Sequence, residues 1–201
     1  SRYGFSLDLD ATYFCGFPGV RGIYNLPLDV QYIYNPREFL NLEGGKWKVF
    51  RKNVRKFANR FPRVQYRQIG VNEYGKDSEA LLFQWSEGKT LEDVDVLVDF
   101  ALKGFNRWGL FVDDELVGLN VADENWMYIN YRLCIDNGSP FLQELLRYQF
   151  YTSKWTLLRR KQVNDGGNLG LPGLQRFKEK LNPLAVEQIY TTMERDSNDG
   201  N

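Results

Sequence analysis

Between Lys46 and Phe61 the apolar residues Trp47, Phe50, Val54, Phe57 and Phe61 recur at steps of three and four, which places them on one side of a helix. Lys48, Arg51, Lys52, Arg55 and Lys56 fall on the other side. Helical spacing returns over Glu79–Glu87 and over Leu91–Gly104, where Leu91, Val94, Leu97, Val98 and Ala101 share a face. Elsewhere the period drops to two. Tyr13–Cys15, Gly22–Tyr24 and Val30–Tyr34 read as strands parted by the turns Gly16–Gly19 and Asn25–Pro27, and Asn35-Pro36 opens a short helix. Val64–Ile69 alternates after Pro62. Trp108–Val112 and Leu116–Val121 make a hairpin about Asp113-Asp114-Glu115. Trp126–Ile135 is a long strand with Met127, Ile129, Tyr131 and Leu133 set against Tyr128, Asn130 and Arg132.

The polar turn Asp136–Ser139 leads to a helix with Ser139 as cap and Pro140 as first residue. Leu157–Val163 reads as a strand, followed by a glycine-rich turn, a helix Pro172–Leu181 and a last strand Ala185–Met193. The order predicts an α+β fold, a mixed sheet of about six strands flanked by helices. In it, strands 126–135 and 157–163 lie side by side, parallel, and part at their ends. Residues 31–194 form the main domain, 1–30 an N-terminal extension or reduced first half, and 195–201 a disordered tail.

With 43% apolar and 15% aromatic residues in 201, the chain can bury a full core. No apolar run approaches the roughly 20 residues of a membrane span, and the expectation is a cytoplasmic protein that does not span a membrane. Cys15 and Cys134 have no ligand or disulfide spacing. Histidine is absent, which excludes Ser-His-Asp and Cys-His triads and imidazole-based zinc sites; no metal is expected. Proton transfer must then use Glu, Asp, Tyr, Lys, Cys, water or the substrate's own amine. Such a chain suits reactions governed by positioning and oxyanion stabilisation, such as acyl transfer to an amine.

Net charge is zero but unevenly spread. Lys46 to Arg63 holds eight cations and no acid, so the surface made by Lys48, Arg51, Lys52 and Arg55 is a candidate for an anionic partner: nucleic acid, a CoA phosphate or lipid headgroups. Glu73–Asp99 is acidic, and pairing within the chain is the simpler expectation for it.

Two stretches resemble a known family. One runs from Tyr32-Ile33-Tyr34 through Gly44-Gly45-Lys46-Trp47 to the Lys/Arg/Asn-rich segment ending at Phe57. The other carries Asn164, Leu169, Gly170, Gly173, Leu174, Lys178 and Pro183. Together they resemble the acyltransferase-like C-terminal domain of phosphatidylglycerol lysyltransferases and their soluble relatives, over roughly positions 30–190. That family places acids inside the glycine turn; here Gly166, Gly167 and Asn168 stand there, leaving Asp165 as its carboxylate.

The resemblance implies a GNAT-like fold and an acyl- or aminoacyltransferase. Acyl-CoA, with acetyl-CoA first, or aminoacyl-tRNA would be the donor, and an amine on a small molecule or macromolecule the acceptor. A non-catalytic module that binds nucleic acid or a protein is the alternative. GNAT donors lie where the two parallel strands part, and the turn after the first strand holds pyrophosphate on backbone N–H groups. Here that turn offers Asn137, Gly138 and Ser139, with Lys178 as a further phosphate contact or a partner of Glu124 or Asp165. Glu124 or Asp123 is the candidate base, Tyr131 the acid, and Asn164 and Asp165 line the cleft. Replacing Asn164 or Asp165 by Ala is expected to leave the melting temperature nearly unchanged. Gly170 and Gly173 would serve the turn and close helix packing.

Overall fold

The computed structural model describes residues 23–70, 73, 75–86, 105–168 and 170–194, with backbone alone for 23–28 and 191–194. Among the described residues, seven strands form one sheet: β1 Ile23–Tyr34, β2 Val64–Ile69, β3 Asn106–Val112, β4 Glu115–Glu124, β5 Tyr128–Asp136, β6 Gln162–Asn164 and β7 Ala185–Glu194. Their order is β2-β3-β4-β5-β6-β1-β7. The β5/β6 pair is parallel, while every other neighbouring pair is antiparallel. The helices are α1 Glu38–Asn41, α2 Lys48–Arg60 after a 3-10 turn, α3 Gly75–Ser86, α4 Leu142–Thr152, α5 Lys154–Arg159 and α6 Pro172–Glu179.

One face of the sheet carries an aromatic core. Tyr32, Tyr34, Trp108, Ile129, Tyr131 and Val163 point from the strands to meet Phe39 of α1, Trp47, the Phe50, Val54 and Phe57 stripe of α2, and Leu145, Leu146, Phe150 and Tyr151 of α4. The opposite face, over β2–β5, packs Phe111, Leu116, Leu119, Val121, Leu133 and Ile135 against Leu81 and Leu82 of α3. α4 approaches β4 closely, for a Cβ at Gly118 would come within 2.8 Å of Leu146. The hairpin turns through Asp113 and Asp114, both with positive φ, as a tight two-residue connection requires.

The sheet departs from the sequence pattern in four places. Leu133 does not continue the side begun by Ile129 and Tyr131. Val121 pairs with Leu133 and Ala122 with Tyr131, so Arg132 is a bulge residue, and beyond it Leu133 and Ile135 face α3. The strand expected over Leu157–Val163 is helix α5 for its first part, because Ser153 Oγ caps Thr156 N at 3.2 Å and Arg160 closes the helix in the left-handed region. Only Gln162–Asn164 remains as strand, adjacent and parallel to β5 as expected.

The helix after β5 begins at Leu142, with Phe141 rather than Ser139 at its cap. Finally, β1 runs on through Asn25–Pro27 in register with β7, the irregularity between Pro27 and Asp29 being absorbed without a turn. The boundary expected at residue 30 therefore falls inside β1. The strand at Tyr13–Cys15, the helix at Leu91–Gly104 and the tail 195–201 lie outside the described residues.

Candidate functional site

β5 and β6 pair over Tyr128–Asn130 and Gln162–Asn164 and then part. β5 continues along β4, whereas the chain after Asn164 turns to β1, where Asp165 N donates to Tyr32 O at 3.0 Å and Tyr32 N to Gly166 O at 3.2 Å. This fork holds Asp165, whose side chain is 3% exposed. Arg147 of α4 meets its carboxylate through Nε at 2.9 Å and Nη2 at 3.3 Å, and Tyr151 donates to it at 2.8 Å. Lys178 of α6 stands 3.4 Å from Oδ1 and donates to the Asp165 and Gly166 carbonyls.

The network runs on. Arg147 Nη1 donates to Gln143 Oε1 at 2.6 Å, and Gln143 donates to Asp136. Two buried cations thus face two buried carboxylates, the arrangement that low-dielectric surroundings demand. Burial alone would raise the Asp165 carboxyl, but Arg147, Lys178 and the hydrogen bonds outweigh it and hold it below the usual carboxylate range. Burial and the neighbouring Arg147 lower Lys178, with Asp165 opposing. Cys134, beside Arg147, is pushed up to about 11 by burial.

The candidate residues separate into groups. Asn164 and Asp165 are together at the fork, with Lys178 between the latter and the turn. Asn164 is committed on both sides, donating to Gln31 at 2.7 Å and accepting from Gly166 N at 2.9 Å. Tyr131 lies beside the fork but buried, its hydroxyl donating to Asn120 Oδ1 at 2.6 Å and its pKa driven well up by burial. Glu124 is elsewhere, ion-paired to Arg159 and Lys161 at 3.0 Å each, and Asp123 accepts from Asn130 and Arg132. In the turn after β5, Gly138 N donates to Asp136 Oδ1 at 2.6 Å and Ser139 N to Asn137 Oδ1 at 3.1 Å. The N–H groups assigned to a phosphate thus already have acceptors.

Arg147, Gln143 and Tyr151 were not singled out in the sequence. Arg147 stands three residues before Phe150 and four before Tyr151 on an amphipathic helix, and a cation at that apolar spacing is the signal the sequence offers.

The basic helix is as expected on its buried side and partly so on the other. Lys48, Lys52, Arg55 and Lys56 are exposed. Arg51 is not part of that surface: it is half-buried, and its guanidinium donates to Leu42 O and Gly44 O, closing the loop before the helix. Asn53 bonds Glu144 of α4 at 2.9 Å and Lys56 Nζ lies 5.0 Å from the Phe141 ring, so the cationic face adjoins the turn after β5. From the acidic segment, Glu73 pairs with Arg67 rather than with α2; Glu87, Glu92, Asp93, Asp95 and Asp99 lie outside the described residues.

The glycines of the turn also divide. Gly170 has φ +69°, whereas Gly173 sits in α6 with open space where a Cβ would be, so it does not serve close packing. Gly173→Ala is expected to be neutral or to stabilise by up to about 1 kcal/mol, while Gly170→Ala should destabilise by about 1 kcal/mol through left-handed strain. Paired urea titrations of the two variants read this directly.

Solved structures share the fold. A conserved protein of unknown function from Bacteroides thetaiotaomicron superposes with TM-score 0.73 at 17% identity, covering 88% of this chain and 64% of that one. L-PGS from Bacillus licheniformis gives 0.67 at 16% identity, with coverage of 88% and 63%. The likeness is one of fold. The C-terminal domain (DUF2156) of an Agrobacterium fabrum protein assigned as a lysylphosphatidylglycerol synthetase gives 0.65 at 12% identity, again over 88% and 63%. The chain thus spans less than two thirds of each of these structures. No family model matches the chain, and no curated protein sequence does. The fold is α+β, a mixed sheet flanked by helices, and is shared with the L-PGS and DUF2156-domain structures. Among the described residues, no group of three or more His, Cys, Asp or Glu is placed to hold a metal ion, and no helix is long and apolar enough to cross a membrane.

Proposed function

We propose that this chain is an aminoacyltransferase of GNAT-like fold, taking its acyl group from aminoacyl-tRNA and passing it to an amine acceptor in the cytoplasm. The fold shared with lysylphosphatidylglycerol synthetase domains supports acyl or aminoacyl transfer in general. The observation that carries the choice of donor is the turn after β5. Acyl-CoA, with acetyl-CoA first, needs free backbone N–H groups there, and Asp136 and Asn137 occupy those of Gly138 and Ser139 while a carboxylate faces the place of the pyrophosphate. The cationic face of α2 beside that turn offers contacts to a run of phosphates, as the backbone of a tRNA presents.

In this reading Asp165 is not a proton carrier. Its paired, buried carboxylate fixes Arg147 and Lys178 and so sets the geometry of the fork, with Asn164 as the polar side chain nearest the reacting carbonyl. Glu124 and Tyr131, one ion-paired and the other buried, remain candidates for proton transfer only if substrate binding frees them. The acceptor's amine attacks from the minor fraction that is neutral in solution, the ester C–O bond breaks, and the proton lost by the nitrogen goes through water to the departing ribose oxygen of the tRNA. The test is transfer of a radiolabelled amino acid from charged tRNA to small amines, run beside thermal-shift titrations with CoA and acetyl-CoA. Stabilisation by acetyl-CoA without tRNA binding would return the donor to acyl-CoA.

A second reading, a module that binds nucleic acid or protein without catalysis, is favoured by one feature: the fork is filled by the Arg147–Asp165–Lys178 network. Binding of tRNA with no transfer to any amine would select it.

A further inference from the structure

At the end of β6 opposite the fork there is an open cleft of about 280 Å³. Asn35 and Arg37 line it from the segment before α1, and Leu157, Arg160, Lys161 and Gln162 line it from the end of α5 and the start of β6. Its size is that of the smaller small-molecule sites, about 300 Å³.

The charges around it do not cancel. Arg37 and Arg160 are exposed and have no ion-pair partner among the described residues. Glu38, next to Arg37, is taken by Lys46 at 2.8 Å, and Glu124 by Arg159 and Lys161 at 3.0 Å each. Glu187 accepts from the Tyr128 hydroxyl at 3.2 Å and has no cation partner among the described residues. Tyr128 is in register with Gln162, so this acid stands toward the β6 side of the cleft and reduces its positive charge; the two unpaired guanidinium groups still exceed it. Arg160 also closes α5 with φ +55°, where glycine is the usual residue, so its side chain is kept there at a conformational cost. Asn35 Oδ1 accepts from Arg37 N at 3.1 Å, which leaves its NH2 group as the end that can donate.

We propose that this cleft binds the phosphate group of a phosphorylated small molecule, held between the guanidinium groups of Arg37 and Arg160, with the carboxamides of Asn35 and Gln162 as further donors. A planar carboxylate is saturated by one guanidinium through two parallel hydrogen bonds, whereas a tetrahedral dianion accepts from two guanidinium groups on different segments. A polynucleotide would carry a row of phosphates past the uncompensated Glu187; a single phosphate group between the arginines avoids it. The inference does not depend on aminoacyl transfer.

The experiment is calorimetric titration of the full chain with inorganic phosphate and with glycerol 3-phosphate at constant ionic strength, with malonate as the planar dianion. Wild type should bind both phosphates saturably and malonate at least about tenfold more weakly. Arg37→Gln and Arg160→Gly should each weaken phosphate binding about tenfold, the loss of one charge-assisted contact. Glycine suits the left-handed backbone at 160, so Arg160→Gly should melt no lower than wild type, which separates loss of ligand from loss of fold. Reversal of Lys52, Arg55 and Lys56 on α2 should leave phosphate affinity in place. The proposal is overturned if phosphate shows no saturable binding, if malonate binds as tightly, if both cleft variants bind phosphate as wild type does, or if the α2 reversal abolishes binding. Binding of inorganic phosphate without glycerol 3-phosphate would also overturn it, as would cleft variants that lose tRNA retention and keep phosphate affinity.

Discussion

Asp165→Asn is expected to cost about 3–5 kcal/mol of folding stability, the usual penalty for removing one partner of a buried ion pair and stranding the other. Asparagine keeps the shape and two polar atoms, so the loss is electrostatic: Arg147 and Lys178 would be left facing each other with only Asp136, at one remove through Gln143, to balance them. The sequence alone makes Asp165 a cleft-lining group whose removal spares the melting temperature; its enclosure by Arg147, Lys178 and Tyr151 reverses that expectation. Urea unfolding of wild type, Asp165→Asn and Arg147→Met checks it, and a change under about 1 kcal/mol in both variants would contradict the assignment.

The same pair sets an acid limit. The folded-state pKa of Asp165 lies below its unfolded value, near 3.9. Its contribution is therefore present above the unfolded pKa and is lost as pH falls through the folded one. Wild type should lose stability below about pH 4 more steeply than Asp165→Asn.

The second large effect is expected on the basic helix. Lys52→Glu, Arg55→Glu and Lys56→Glu together should remove tRNA retention at moderate salt and make the slope of log affinity against log salt shallower by about 2–3, one phosphate contact per cation. These three are exposed, so the helix should persist. Arg51 is deliberately left out: reversing it would strip hydrogen bonds from Leu42 O and Gly44 O and confuse a folding defect with a binding one. Filter binding over a salt series, with circular dichroism as the control, distinguishes the two. Retention independent of salt and of these substitutions would leave α2 as a solvated face.

The parts of the fold that were legible in the sequence are those where one periodicity runs long. The Trp47–Phe57 stripe, the hairpin about Asp113-Asp114 and the strand at Val64–Ile69 stand where their patterns put them. Leu157–Arg159, expected as the start of a strand, lies in a helix instead, because the local hydrogen bond from Thr156 N to Ser153 Oγ starts a helix that runs through them. The bulge at Arg132 was invisible because it depends on the register against β4, a property of two strands rather than of one.

The site was legible only in part for a similar reason. Asn164, Asp165 and Lys178 belong to one local motif, but Arg147 and Gln143 reach the fork from α4, and their partner there is set by tertiary packing rather than by neighbours in the chain. Glu124 is the converse case: it is close to Tyr131 in the chain, yet its carboxylate is taken up by Arg159 and Lys161.

β1 is bonded to β6 and β7, elements that come at the other end of the chain. During synthesis it therefore emerges long before either of its partners exists. At about 5–20 residues per second the ribosome takes roughly 6–25 s to travel from Tyr34 to Gln162, and for that interval a twelve-residue strand has both edges unpaired. Aggregation during expression should thus track the lifetime of nascent β1, and slowing translation before Gln162 should raise it more than slowing translation afterwards. The same topology places β1 and β7, the first and last of the described strands, side by side, so a rearranged gene that encodes β7 ahead of β1 would let this pair form first.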